Sequence, residues 1–203
     1  NPGQHIPIPP DYKYVTLYKR NKMRHFTSVK DIPDLKKALE VAFDVKKNPY
    51  AYTHLGKNKT MVLIFFNSSL RTRLSTQKAA MNLGMNTMVL NINEDGWKLE
   101  TEMGVVMDGN KTEHIREAVP VIGSYADIIG VRSFARFENR DDDYNENILN
   151  QFIEYSGVPV VSMEAATRHP LQSFADLMTI EEFKPKERPK VVLTWAPHPK
   201  ALP

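Results

Sequence analysis

The 203-residue sequence contains no cysteine, which removes disulfides, thiolate metal sites and cysteine nucleophiles from consideration. Long apolar runs are missing as well. The longest uninterrupted one, Met61 to Phe66, falls far short of the roughly 18 residues a membrane helix needs. No apolar stretch followed by a small-residue cleavage site opens the chain, so a secretory signal is not expected and the cytoplasm is the expected compartment. Neither sign of charge dominates: 27 Lys and Arg stand against 24 Asp and Glu, a formal +3. A nucleic-acid surface wants a clustered basic stripe. Lys19, Arg20, Lys22 and Arg24 are the basic cluster to weigh, and a steep salt dependence of DNA binding would be its signature. There is no P-loop, no glycine-rich dinucleotide fingerprint and no His/Asp cluster at metal-ligand spacing. Neither a cofactor nor a metal is expected, and membranes and nucleic acid are not the expected partners.

What is present is an alternation of short apolar runs with helical patterns. Thr60 to Phe66 is continuously apolar after its first residue, as a strand buried on both faces would be. Thr87–Ile92, Ala126–Val131, Val158–Ser162 and Lys190–Trp195 read as further strands. Between them, Leu70–Leu83, Glu113–Gly123, Asn145–Ser156 and Pro170–Glu182 read as helices, the last with proline at its first position. Upstream, Leu35, Leu39, Val41, Ala42 and Val45 share a helical spacing, with Asp31 as the expected N-cap and Pro33 just inside. This alternation predicts an α/β fold, a parallel sheet with helices on both faces. Residues 1–22, with four of the 14 prolines in the first ten positions, read as an extension outside the core. Residues 23–168 read as the main domain and 169–188 as a linking helix and linker. Residues 189–203 read as the first strand of a second α/β domain whose remainder is absent.

Three strand-to-helix corners concentrate polar chemistry. In parallel sheets ligands gather beyond the carboxyl ends of strands, and a helix N-terminus there offers unpaired N–H groups and a partial positive charge. At the first corner, Asn67-Ser-Ser-Leu-Arg-Thr-Arg73 supplies Ser68, Ser69 and Thr72 hydroxyls with the guanidinium forks of Arg71 and Arg73, suited to a phosphate or carboxylate. The plainer reading has a serine capping the helix and both arginines solvated. At the second, Arg132 follows the strand ADIIGV, where a surface arginine would read the same way. At the third, His169 and Gln172 lie one turn apart at a helix start, within Ser162-Met-Glu-Ala-Ala-Thr-Arg-His-Pro-Leu-Gln172; a purely structural His-Pro would look the same. Taken together, the corners describe a site for a small ligand with a dianionic end and an amide-like end.

Ser69-Leu-Arg-Thr-Arg73 resembles the carbamoyl-phosphate motif of the aspartate/ornithine carbamoyltransferase family, where Ser-Thr-Arg-Thr-Arg is typical and Leu70 is the departure. His169-Pro170-Leu171-Gln172 resembles that family's His-Pro-x-Gln motif, and Arg132 matches its carbamoyl-oxygen-binding arginine. The wider text FFNSSLRTRLSTQKAAMNLGMN, WKLETEMGVVMDGN, GVRSFARFENR and SMEAATRHPLQSFADLMTIEE resembles the acylornithine branch.

The resemblance implies a carbamoyltransferase that uses carbamoyl phosphate and an N-acylornithine, succinyl favoured over acetyl, and assembles as a homotrimer. It implies that Ser69, Leu70, Arg71 and Thr72 hold the phosphate. Arg132 and His169, with Thr72, would polarise the carbonyl; Gln172 would hold the carbamoyl amide beside Pro170 and Leu171. Trp97 would close the pocket of a neighbouring subunit, and Glu164 and His198 would contact the acylornithine. Thr112, in the loop Asp108 to His114, would face the acyl chain without deciding its identity. The family's His-Cys-Leu-Pro motif is absent, because there is no cysteine. The alternatives are an ornithine carbamoyltransferase, or a truncated, non-catalytic carbamoyl-phosphate-binding module.

Overall fold

The computed structural model describes residues 24–92 and 97–194. Its centre is the apolar run read above. β1 (Thr60–Phe65) sends Val62 and Ile64 to one face and Met61, Leu63 and Phe65 to the other, the period-2 alternation of a strand. Leu63 and Ile64 are fully buried. Both faces being apolar, β1 needs cover on both. α1 (Leu35–Lys47) precedes it. α2 (Arg71–Asn82) follows it and leads into β2 (Asn86–Asn91). Two short strands, β3 (Leu99–Glu100) and β4 (Glu113–His114), pair with each other. α3 (Ile115–Ser124), β5 (Ile128–Arg132), α4 (Arg140–Tyr144), α5 (Asn147–Tyr155), β6 (Val160–Glu164) and α6 (Pro170–Phe183) complete the order.

The main sheet runs β2-β1-β5-β6 with every pairing parallel. On one face α3 and α5 bring Ile115, Val119, Ile122, Leu149 and Phe152 onto Val62, Ile64, Ile129, Val131 and Val160. On the other, Ala80 of α2 and Leu171 of α6 lie with Met61, Leu63, Phe65 and Met163. The chain steps from β1 to β2 on one side and to β5 on the other, so the strand order switches between β1 and β5. That is where a crevice opens in sheets of this kind. At the outer edge of β6, Phe26 bridges Val161. Among the described residues no helix is long and apolar enough to cross a membrane.

Several expectations shift. α1 is capped by Asp34, whose side chain accepts from the Lys37 N–H, and Asp31 instead closes a capping box with Ser28 one turn earlier. Pro33 therefore lies before the cap. The helix expected from Glu113 starts at Ile115 because Glu113 and His114 are drawn into pairing with β3. The strand expected over Lys190–Trp195 is not formed across residues 190–194, where Val191, Val192 and Leu193 are exposed, Leu193 at 94%. A strand exists only through a hydrogen-bonded neighbour, and the described residues offer this segment none. Trp195 and the proposed extension 1–22 lie outside the described residues.

Gly123 marks where α3 meets the end of α5: a Cβ there would fall 2.0 Å from the Ser156 carbonyl oxygen. Gly123→Ala therefore forces backbone apart and should cost about 1–3 kcal/mol, read as a lowered urea midpoint. An unchanged midpoint would contradict this packing.

Candidate functional site

The site is built at the switch in strand order. Beyond β1, the Asn67 side-chain oxygen accepts from the Phe134 N–H at 2.7 Å, and the Phe66 N–H donates to the Arg132 carbonyl at 3.0 Å. These bonds clamp the loop after β1 to the loop after β5. Ser69 accepts from the Thr72 N–H at 3.2 Å, so the capping reading of this serine holds, while Leu70, in helical conformation, exposes 74% of its surface. Arg71 is exposed and, among the described residues, makes no hydrogen bond or ion pair. Arg73 turns away. It donates to the Asn91 side chain and lies over the Phe65 ring, 5.0 Å from its centroid, so of the two guanidinium groups only Arg71 stays open.

Arg132 is the opposite of a surface arginine, with 7% exposure at the carboxyl end of β5. Its Nη1 donates to Thr72 Oγ1 at 2.9 Å and to Glu164 Oε2. The guanidinium stacks on Phe134 at 4.4 Å. Among the described residues its Nε–H is buried without a partner, a donor that costs free energy unless something accepts from it. Burial pulls its pKa down, and the Glu164 carboxylate opposes that pull. A buried cation of this kind persists through pairing; removing one partner of such a pair costs about 3–5 kcal/mol.

The β5–β6 register explains the pairing. Val131 faces Ser162 but Arg132 faces Glu164, so the register slips by one residue and Met163 is passed over. Such irregularities re-aim side chains at sheet ends. Glu164 Oε2 also lies 3.6 Å from His169 Nε2. His169 caps α6, its Nδ1 accepting from the Gln172 N–H at 3.3 Å. Pro170 is buried at the first helical position and Leu171 packs into the lower core. The structure thus joins Ser69, Thr72, Arg132, Glu164 and His169 in one chain of contacts, with Arg71 open on the first turn of α2.

Other expected residues stand apart from that chain. The Gln172 side chain donates to Asp176 at 2.7 Å along α6 and is exposed. Trp97 is half-buried against the core of its own chain and donates to Glu113 at 3.2 Å. Thr112 stitches β3 to β4 through Lys98, its N–H donating to the Lys98 carbonyl at 2.8 Å. His198 lies outside the described residues. Sequence reasoning missed a cavity of about 460 Å³ lined by Glu102, Ser133, Phe134, Arg136, Glu146 and Gln151 among others. It shares Ser133 and Phe134 with the Arg132 corner, and Arg136 pairs across it with Glu102 at 2.8 Å. No local motif marks it, since its walls come from α4, α5 and the loops that follow β3, β5 and β6.

A switch-point crevice with a buried arginine and a helix start of this kind is the architecture of an α/β domain that binds a small anion. The family description "Aspartate/ornithine carbamoyltransferase, carbamoyl-P binding domain" matches residues 24–182, and the chain belongs to this family. Among curated relatives, the N-succinylornithine carbamoyltransferase of Bacteroides thetaiotaomicron is 71% identical over 181 residues, 89% of this chain and 57% of that protein. The N-acetylornithine carbamoyltransferase of Xanthomonas campestris pv. campestris is 44% identical over 149 residues, 72% of this chain and 44% of that protein. A solved structure of acetylornithine transcarbamylase complexed with acetylcitrulline matches at TM-score 0.72 and 39% identity, over 78% of this chain and 47% of that one. The chain therefore spans about half the length of the curated relatives it matches.

Burial is the main force holding the His169 imidazole below its ordinary pKa; Glu164 and Asp176 pull upward and Arg132 pushes downward. In the unfolded chain the imidazole takes its proton near the usual value of about 6.5, while the folded one resists. The contribution to stability is thus present above that pH and is lost as pH falls through it towards the folded value. His25, also lowered by burial, acts in the same direction. His169→Asn, which keeps a capping side chain but does not titrate, should flatten the fall in urea midpoint between about pH 7.5 and about pH 5.5. An unaltered slope would show that His169 does not titrate against folding.

Proposed function

We propose that this chain supplies the carbamoyl-phosphate half of a carbamoyltransferase acting on an N-acylornithine, giving N-acylcitrulline and phosphate in arginine biosynthesis. The observation that carries the reading is the Arg132 Nε–H, buried at the switch point without an acceptor among the described residues, in one chain of contacts with Thr72, Glu164 and His169, while Arg71 stays open on the first turn of α2. That set wants an anion at the α2 end and a polarisable oxygen at the Arg132 end. Carbamoyl phosphate has both.

In the proposed reaction the neutral δ-amine attacks the carbamoyl carbon. The bond from the carbamoyl carbon to the bridging oxygen breaks, the phosphate leaves with the bonding pair and that oxygen, and the proton shed by the amine passes to the departing phosphate. Ser69, Arg71 and Thr72, with Leu70 contributing backbone, hold the phosphate. Arg132 and His169 donate to the carbonyl oxygen where negative charge develops, the placement that lowers such barriers most. Gln172 holds the carbamoyl amide once it exchanges Asp176 for substrate, next to Pro170 and Leu171. Glu164 and His198 contact the acylornithine. Residues 23–168 form the carbamoyl-phosphate domain, 169–188 the linking helix and linker, and 189–203 the entry to the amino-acid domain. A cytoplasmic homotrimer, with Trp97 lent to a neighbouring subunit, belongs to the same proposal and is supported by the family resemblance. Succinyl is favoured over acetyl by the higher identity to the Bacteroides enzyme.

Losing one transition-state donor costs roughly 2.7–4 kcal/mol, or about 10²–10³ in rate. Arg71→Ala in the whole enzyme should therefore remove turnover by that factor while the circular dichroism spectrum is retained. Near-normal turnover would end the phosphate assignment. Rates compared across ornithine, N-acetylornithine and N-succinylornithine decide the acceptor, with succinylornithine expected to be fastest.

A further inference from the structure

The one-residue slip between β5 and β6 sets Glu164 directly opposite Arg132. Glu164 Oε2 then accepts from Arg132 Nη1 and faces His169 Nε2 at 3.6 Å. Its second oxygen, Oε1, makes no hydrogen bond among the described residues. On the other side of the ring, His169 Nδ1 accepts the Gln172 N–H. A neutral imidazole has one donor and one acceptor nitrogen. With Nδ1 spent as the acceptor of the α6 cap, the proton must sit on Nε2, the nitrogen facing Glu164. Helix capping thereby fixes the tautomer and aims an N–H into the crevice.

From this geometry we infer that Glu164 is a positioning residue, whose carboxylate holds the Arg132 guanidinium and the His169 Nε2–H side by side as two donors directed at one acceptor. The inference rests on the proposed reading of the site for its purpose, namely that the acceptor is the carbamoyl oxygen. It does not rest on that reading for its geometry. Glu164 Oε2 accepts from Arg132 and lies 3.6 Å from His169 Nε2, so both donors are oriented towards one point by the protein itself; such preorganisation costs no rearrangement at the moment of reaction. The role is distinct from contact with an acylornithine, which would use Oε1. The charged groups facing His169 are Glu164 from β6, Arg132 from β5 and Asp176 from α6. Of these, only Glu164 also bonds Arg132, so it alone links the two donors.

The test is nuclear magnetic resonance on the 203-residue chain with ¹⁵N-labelled histidine. Wild-type His169, in its neutral form, should carry its proton on Nε2. In Glu164→Gln, which keeps the shape and removes the charge, the His169 titration should move to lower pH while the tautomer persists. A proton found on Nδ1 in the wild type, or a titration unmoved in the folded variant, overturns the inference. Should Glu164→Gln not fold, the wild type carries the same test: the Glu164 carboxyl resonance should shift at the His169 midpoint, and one indifferent to it overturns the link. Binding of inorganic phosphate, which the proposal gives to Ser69, Arg71 and Thr72, is measured in parallel by calorimetry. Its absence in the wild type would count against the carbamoyl-phosphate reading and leave the His169 result standing.

Discussion

Parallel pairing gathers the carboxyl ends of neighbouring strands at one edge, and in this chain that constraint is anchored on β1. Its side chains fill both layers of core, Val62 and Ile64 above and Met61, Leu63 and Phe65 below. Because β1 is apolar on both sides, it can sit only in the middle of a covered sheet. β2 and β5 then flank it, and β6 follows β5. The corner carrying Ser69 to Arg73 at the start of α2, the end of β5 carrying Arg132 and the end of β6 carrying Glu164 emerge together as a consequence. The polar site is thus a by-product of where the apolar residues must go.

At that edge the chemistry is governed by one buried charge. Arg132 could not remain at 7% exposure as an unpaired cation, and Glu164, Thr72 and the Phe134 ring together make its burial tolerable. Yet the accommodation is incomplete, since Nε keeps an unused proton. An interior that leaves a charged donor unsatisfied holds a standing demand for an acceptor. Neighbouring Arg73 shows the contrast: its needs are met by Asn91 and Phe65, and it has no such demand to offer a ligand.

The legible part of this protein in its sequence was the part written locally. TMVLIFF reads as a doubly buried strand because every residue after Thr60 is apolar, and Gly84 ends α2 because its φ of +80° suits glycine and a Cβ there would strike the Thr53 carbonyl at 2.3 Å. The Ser69-to-Arg73 and His169-to-Gln172 corners were legible because helix starts after strands are short-range events. What was not legible depends on distant partners. β3 and β4 are two residues each, too short for any periodicity. The choice of Asp34 over Asp31 as the α1 cap follows from Asp31 being claimed by Ser28 and Thr27. Arg71 and Arg73 look alike in a row of letters; only the position of Asn91 on β2 separates their fates. The register slip that brings Glu164 to Arg132 has no sequence signature at all.

Phe26 has an effect of a different kind. Its N–H donates to the Val160 carbonyl and its carbonyl accepts from the Ser162 N–H, both at 2.8 Å, while His25 Nδ1 takes the Val160 N–H at 3.1 Å. A bare outer strand is a template on which another polypeptide can add itself. By engaging the backbone of β6 along its rim, this short upstream stretch makes that flank unavailable to strangers, and it does so two residues from Glu164. The segment that looks most dispensable in the described chain thereby guards the sheet against misassembly at its most chemically valuable margin.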